Sequence, residues 1–335
     1  MLYIVIVFLV MSLLFYCLLG GADFGAGALE FFVPKQYRKR HEELVAHAMG
    51  PVWEANHIWL ILLIVILFNA FPQVYTQCSI YFHVPLTLML IGIVARGCAF
   101  TFRNYDAVKD NTHRYYSLGF GISSLLTPIM FGMIMGGMFF GVDPQAPTYF
   151  QKYITSWFNW PSFALGIFVL SLFMYLASVY LIGESEDPET RKFYTGCCQK
   201  ASLTMLLAGL LVFLLAQGSP HPLLAPFFTN PVSVTCFAAA SVFTLIFWQK
   251  IRRGRLTEWS IRVLAGLQVS LVLLAWLAVI FPNVLFYRGG ARLSLLDAAA
   301  PEATINVLAW SLMIGALLFL PILFYLIRVF KVMKK

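Results

Sequence analysis

Asp23, Glu54 and Arg96 lie inside apolar runs long enough to cross a bilayer, and His57 and His83 join them as titratable groups. A charge at the bilayer centre costs about 2.5–3.5 kcal/mol on the insertion scale, so each of these residues needs a compensating reason. Asp23 stands in Gly20-Gly21-Ala22-Asp23-Phe24-Gly25-Ala26-Gly27, and Glu54 in Gly50-Pro51-Val52-Trp53-Glu54-Ala55-Asn56-His57-Ile58-Trp59. The two segments flank the basic stretch 34–43 symmetrically. As antiparallel neighbours they hold both carboxylates at one depth, about 15–18 Å from the turn at a 1.5 Å rise per residue. Small residues around Asp23 permit close helix approach, and Glu54 and His57, three apart, share a helix face.

Two readings of this constellation stand. Acids and histidines at mid-membrane hand protons inward from the cytoplasmic side, or they are paired and inert, with Asp23 or Glu54 against Arg96. Arg96 can also snorkel to the nearby interface. Other chemistries fit less well. The glycine run lacks the Lys-Ser/Thr ending of a phosphate loop. Of the six histidines (His41, His47, His57, His83, His113 and His221), only His57 and His83 are well inside spans, and they differ in depth. A haem held between two histidines needs ligands facing one another, so haem ligation by this chain is not expected. Cys17, Cys78, Cys98, Cys197, Cys198 and Cys236 have no CxxC spacing, which leaves neither a disulfide framework nor a zinc site, and no metal is expected. Trp53 and Trp59 pack either against a partner or cofactor tail or simply within the core.

The elements that position these residues follow from composition. Of 335 residues, 60% are hydrophobic and 11% charged, and mean hydropathy is +0.81; soluble domains carry about 25% charged residues. Apolar runs of about 20 residues, the length that crosses a bilayer core, occur at 2–29, 48–71, 79–102, 117–140, 161–183, 201–217, 231–249, 263–282 and 305–327. Breakers such as Gly141-Val142-Asp143-Pro144, Gly218-Ser219-Pro220 and Asn230-Pro231 separate them. Each run must be helical to satisfy its backbone in lipid. The expected fold is all-α, a single transmembrane domain over 1–335 with nine spanning helices.

Nineteen of the 23 lysines and arginines fall in 34–43, 103–114, 184–200, 250–262 and 328–335, whereas the alternate stretches hold Lys152, Arg288 and Arg292. The positive-inside rule then puts the N-terminus in the periplasm and the C-terminus in the cytoplasm. The formal charge of +8 reflects that orientation and contact with anionic membrane lipid, not nucleic acid. MLYIVIVFLV has no basic n-region, and no A-x-A site precedes a polar boundary, so the first helix is expected to stay. Trp157, Phe158, Trp160 and Phe227-Phe228 read as interfacial aromatic belts on the outer side.

GGADFGAGALE and GPVWEANHIW together resemble subunit II of the cytochrome bd-type quinol oxidases, including the cyanide-insensitive branch with short second subunits. The likeness extends along the whole chain, with Arg96-Gly97-Cys98-Ala99-Phe100 near the end of the third span. The resemblance implies a complex in the bacterial inner membrane that oxidises quinol and reduces O2 to water with protons from the cytoplasm. Haem b and haem d are expected in a partner, subunit I, that pairs pseudo-symmetrically with this chain. A structural quinone in this chain and small accessory subunits are further implied possibilities. The family's motif acids map onto Asp23 and Glu54 as proton-relay candidates, with His57, Asn56 and Arg96 supporting them. Departures are Gly20, where commonly studied members carry a second Asp, Val52 in place of a His, and Glu54 in place of Asp. The alternative is a secondary transporter with a midplane ion or substrate site, although Gly50-Pro51 has no matching helix break in the second half.

Overall fold

The computed structural model describes residues 1–50, 53–105, 113–252 and 258–332. Pro51 and Val52, and with them the suspected break after Gly50, lie outside the described residues. So do the basic residues Lys109, Arg253, Arg255, Lys334 and Lys335.

The chain opens with α1 (Leu2–Phe15), a π-helical turn (Tyr16–Gly20) and α2 (Gly21–Leu29), which together form one span. A 3-10 turn, Glu30–Phe32, leads to α3 (Lys35–Met49). Then come α4 (Trp53–Ala70), α5 (Pro72–Tyr81), α6 (His83–Tyr105), α7 (His113–Phe140) and the short α8 (Tyr149–Tyr153). The second half holds α9 (Trp160–Glu184), α10 (Pro188–Ala216), α11 (Leu224–Thr229), α12 (Pro231–Arg252) and α13 (Glu258–Ile280). A hairpin of β1 (Asn283–Phe286) and β2 (Arg292–Ser294) precedes α14 (Glu302–Val332). Among the described residues nine helical segments are long and apolar enough to cross a membrane, in agreement with the sequence.

Three details differ from the sequence reading. The basic stretch 34–43 is not a turn: it belongs to α3, whose buried residues His41, Val45 and Met49 recur every four positions and form one apolar stripe. The stretch 184–200 is largely helical. Asp187 accepts from the Thr190 backbone at 2.9 Å, Pro188 starts the helix, and α10 runs unbroken into the sixth span. Third, the stretch before α14 folds into the β1–β2 hairpin, which is tied to the α7 end by Val142 N–H to Phe286 O and Arg288 N–H to Val142 O, each 2.9 Å. Gly141 at φ +101° makes that turn, a conformation suited to glycine.

The most buried span is α9, which packs against α2, α7, α10 and α13. Small residues permit the approach. A Cβ on Gly25 would collide with the Phe173 carbonyl, and one on Gly132 would sit 2.7 Å from the Gly166 Cα. Such backbone contacts cannot yield as a flexible side chain would. Gly25→Ala is therefore expected to cost about 1–3 kcal/mol by overpacking and to lower the melting temperature of the purified protein. Gly196→Ala, inside α10 with nothing within 4 Å of the new Cβ, should not lower the melting temperature and should raise it slightly through helix propensity.

Candidate functional site: a buried charge ladder

Asp23 and Arg96, each 1% exposed, form an ion pair. One terminal nitrogen of Arg96, Nη2, donates to the Asp23 carboxylate at 2.5 Å and to the Asp23 carbonyl at 3.2 Å. The rings of Phe24 and Phe120 lie 4.8 Å and 5.0 Å from the guanidinium carbon and spread its charge over their faces. Of the two readings open in the sequence, pairing of Asp23 with Arg96 is the observed geometry. Pairing does not use up the hydrogen-bonding capacity of either group. Asp23 Oδ2 and Arg96 Nε are buried with no partner among the described residues, as is the nearby Tyr16 hydroxyl. Tyr16 begins the π turn, a local geometry that recurs at functional sites.

A second pair lies directly below. Arg103 Nη1 donates to Glu30 Oε2 at 2.8 Å, with both side chains buried. Glu30 follows Asp23 by seven residues, and Arg103 follows Arg96 by seven. Seven residues make about two helical turns, so the pairs stack on matching faces of the first and third spans. The Phe120 ring contacts both guanidiniums, with the Arg103 carbon 4.3 Å from its centroid. The sequence reading missed Glu30 and Arg103 because each stands at the edge of an apolar run. The repeated spacing, an acid and a base each recurring after seven residues, was the available signal.

Glu54 is exposed on the outer surface of the bundle and shares no contact with Asp23. Its neighbour His57 is half-buried, with its ring centroid 6.1 Å from Phe24 and 6.3 Å from Trp53. The His57 Nδ1 has no partner among the described residues, and the ring feels the charges of both Asp23 and Arg96. Asn56 is buried and donates to the Leu19 carbonyl in the π turn at 3.4 Å. Trp53 packs on Phe100 and Trp59 on Phe15, so both tryptophans make core contacts. Of the five residues singled out, Asp23, Arg96 and His57 come together, Asn56 braces the adjoining backbone, and Glu54 faces outward.

The α3 helix closes one end of the ladder. His41 Nδ1 bonds the Tyr194 hydroxyl at 2.8 Å and Nε2 the Ala26 carbonyl at 3.2 Å. Arg40 pairs with Asp187 at 3.1 Å, and the Tyr37 hydroxyl donates to Glu189 at 2.5 Å. Elsewhere, His83 joins Tyr149 at 2.6 Å and His221 the Tyr287 carbonyl at 3.1 Å. Among the described residues no three His, Cys, Asp or Glu side chains gather around a point. A separate cavity of about 390 Å³ opens between α9, α10, α12 and α13, apolar except for Ser241, Thr244 and Gln268. Gln268 is fixed by Tyr175 and Thr244 at 2.9 Å and 2.8 Å.

A polytopic helical bundle with a ladder of paired charges in its interior defines a membrane protein built to keep charge inside a bilayer. The whole-chain comparisons give the class its family. Residues 1–330 match the family of cytochrome bd terminal oxidase subunit II, and the chain belongs to that family. It is 23% identical over 321 residues to the cytochrome bd-I ubiquinol oxidase subunit 2 of Escherichia coli, covering 87% of this chain and 83% of that one. With the cytochrome bd ubiquinol oxidase subunit 2 of Bacillus subtilis it is 28% identical over 168 residues, about half the length of each. The fold is shared with the bd oxidase structure from Geobacillus thermodenitrificans, at a TM-score of 0.77, 18% identity and 98% coverage of both chains.

Two predictions follow from the ladder's geometry. Arg96→Gln leaves the buried Asp23 carboxylate without its counter-charge, at a cost of about 3–5 kcal/mol. The Asp23→Asn/Arg96→Gln double variant should recover much of that loss, which thermal denaturation of the four variants will measure. Burial pushes the His41 imidazole down to about 4, outweighing its bond to Ala26. Its folded value thus lies below the ordinary 6.5, so an undocked α3 takes up a proton that the docked one refuses. Docking should weaken as pH falls from about 6.5 and level off near 4. Amide exchange of α3, corrected for intrinsic rates, should show the loss, and His41→Gln should reduce its pH dependence.

Proposed function

We propose that this chain is the second subunit of a quinol:O2 oxidoreductase of the aerobic respiratory chain, in the bacterial inner membrane. Its N-terminus lies in the periplasm and its C-terminus in the cytoplasm, as the lysine and arginine distribution favours. The partner is subunit I, a pseudo-symmetric companion that holds haem b and haem d. The haems supply the O2-reducing chemistry in that partner. His41, His83 and His221 are engaged in hydrogen bonds, which favours haem ligation outside this chain. The apolar cavity between α9 and α13 suits the tail of a structural quinone, with Gln268 and Thr244 as polar contacts for its head.

Within the complex, Asp23 and Glu54 carry protons taken from the cytoplasm towards subunit I. The observation that carries this reading is Asp23 Oδ2, buried beside Arg96 with no partner among the described residues, together with a His57 ring that feels the Asp23 charge. A proton reaching Oδ2 neutralises the carboxylate while Arg96 keeps its charge and holds the side chain in place. Its next acceptor is His57 Nδ1, one helical turn from Glu54 on α4. Glu54 then delivers the proton from the outer surface of the bundle. A carboxylate on that surface at mid-membrane is costly against lipid, which favours a face covered by subunit I. Asn56 holds the π turn against α4 and so fixes the distance between the two helices.

Asp23→Ala and Glu54→Ala are each expected to lower quinol-driven O2 consumption or haem content of the purified complex, while membrane insertion persists. Removing a group that transfers protons typically costs about 10²-fold or more; a parallel route would lessen that. Unchanged oxidase activity and haem content in both variants would rule the relay out.

A further inference from the structure

We propose that Glu30 is the carboxylate that collects protons on the α3 side of the membrane, and that the Ser124 hydroxyl passes them on towards Asp23. The proposal rests on the relay reading given above and supplies its missing inner half. Asp23 is 1% exposed and lies two helical turns from the end of its span, so a proton from the cytoplasm needs carriers on the way. Seven residues of helix separate Asp23 from Glu30, about 10 Å at 1.5 Å per residue. That gap is too long for one hydrogen bond and short enough for one intermediate group with water.

Three observations point to these groups. First, charged side chains of α3 lie within electrostatic range of Glu30. Besides Arg103 on α6, the charges that act on it are Glu42 and Arg38, both on α3. Glu42 is 20% exposed in its side chain, accepts from the Ser117 hydroxyl at 3.2 Å and lies 3.9 Å from His113 Nε2. Ser117 and His113 open α7, so Glu42 stands where α3, α6 and α7 meet.

Second, Arg103 is not consumed by its pairing. Its side chain is 1% exposed, yet Nε and Nη2 have no partner among the described residues. Buried guanidinium N–H groups seldom go unsatisfied, and a polar site with several such groups suits bound water. A water held by Arg103 beside Glu30 is what a proton-collecting carboxylate requires.

Third, Ser124 stands between the two pairs. It is fully buried on α7, one turn beyond Phe120, and its hydroxyl has no partner among the described residues. Many other serines in these spans bond the carbonyl one turn back, as Ser123, Ser171 and Ser178 do. Ser124 instead presses its hydroxyl against Gly27, where any Cβ would collide with it. Gly27 lies between Asp23 and Glu30 in the same span, so a hydroxyl is held free at mid-gap. The Phe120 ring lies within 5.0 Å of both guanidinium carbons, and the Ser124 hydroxyl is the group nearest to Gly27 in the gap. A proton enters on Glu30 to give the neutral acid, moves through Ser124 by exchange of its hydroxyl proton, and reaches Asp23 Oδ2.

The test is O2 consumption by the intact complex in liposomes, with its pH profile and solvent isotope effect, for Glu30→Gln, Ser124→Ala, Ser124→Thr and Asp23→Asn. Glu30→Gln keeps the shape and a hydrogen bond to Arg103 but cannot ionise. It should slow turnover about tenfold or more at unchanged haem content, and remove a limb of the pH profile. Ser124→Ala should slow turnover several-fold and raise the isotope effect, and Ser124→Thr, which retains the hydroxyl, should restore both. If Glu30→Gln fails to assemble, the Ser124 pair decides: loss in the alanine variant and rescue in the threonine variant uphold the proposal. Wild-type turnover, pH profile and isotope effect in Glu30→Gln or in Ser124→Ala, alongside a slow Asp23→Asn, would overturn it and leave the relay standing. A wild-type Asp23→Asn would remove the relay itself.

Discussion

Two carboxylate–guanidinium pairs buried in a bundle that faces lipid set the terms for this half of the molecule. Dehydrating such ions costs several kcal/mol each, and attraction between partners offsets that only with close contact and satisfied hydrogen bonds. The packing meets the first demand and leaves the second incomplete. Gly25 and Gly27 bring α2 against α9 and α7, and Phe24 and Phe120 present ring faces to the guanidiniums. The atoms left over among the described residues (Asp23 Oδ2, Arg96 Nε, Arg103 Nε and Nη2) all belong to the two pairs. A purely structural ion pair gains from saturating such atoms; a proton pathway needs them free.

The two halves of the bundle divide the chemistry. The first, from α1 to α7, holds the ladder, the π turn and the outward Glu54. The second, from α9 to α13, surrounds an apolar cavity with the bonded pair Gln268 and Thr244 on its wall. Helix α9 belongs to both, since it packs on α2 and α7 on one side and on α10 and α13 on the other. Changes at Phe173 or Gly25 are therefore felt in both halves, which couples the ladder's spacing to the packing of the whole bundle.

Much of this was legible in the sequence. Span number and helical character followed from apolar run length, because backbone groups in lipid have no other way to be satisfied. That Asp23 and Arg96 need a compensating partner followed from their cost, and the pair they form meets it. What escaped detection lay at span edges. Glu30 falls just past the run 2–29 and Arg103 opens the basic stretch 103–114, since a run-length criterion ends a span at its first charge and cannot tell a paired charge from a solvated one. The helix α3 was hidden for a related reason: its many charged residues mask the stripe of His41, Val45 and Met49 that buries it. The Asn-Pro start of α12 was seen as a breaker, and the Asp187-Pro188 start of α10 went unnoticed, although a cap followed by proline begins a helix as readily as it ends one. The direction of Glu54 was not legible either, because α4 is apolar around most of its circumference and its sequence does not say which face is covered.

The central claim is that the Asp23 carboxylate changes protonation as the complex turns over, even though it is ion-paired with Arg96. Redox-induced infrared difference spectroscopy of the assembled oxidase reads this most directly, in the stretching region of protonated carboxyl groups. A band there that vanishes in Asp23→Asn and shifts in deuterated water is the predicted result. Identical difference spectra for the wild-type and Asp23→Asn complexes would mean that the pair is static, and would contradict the account.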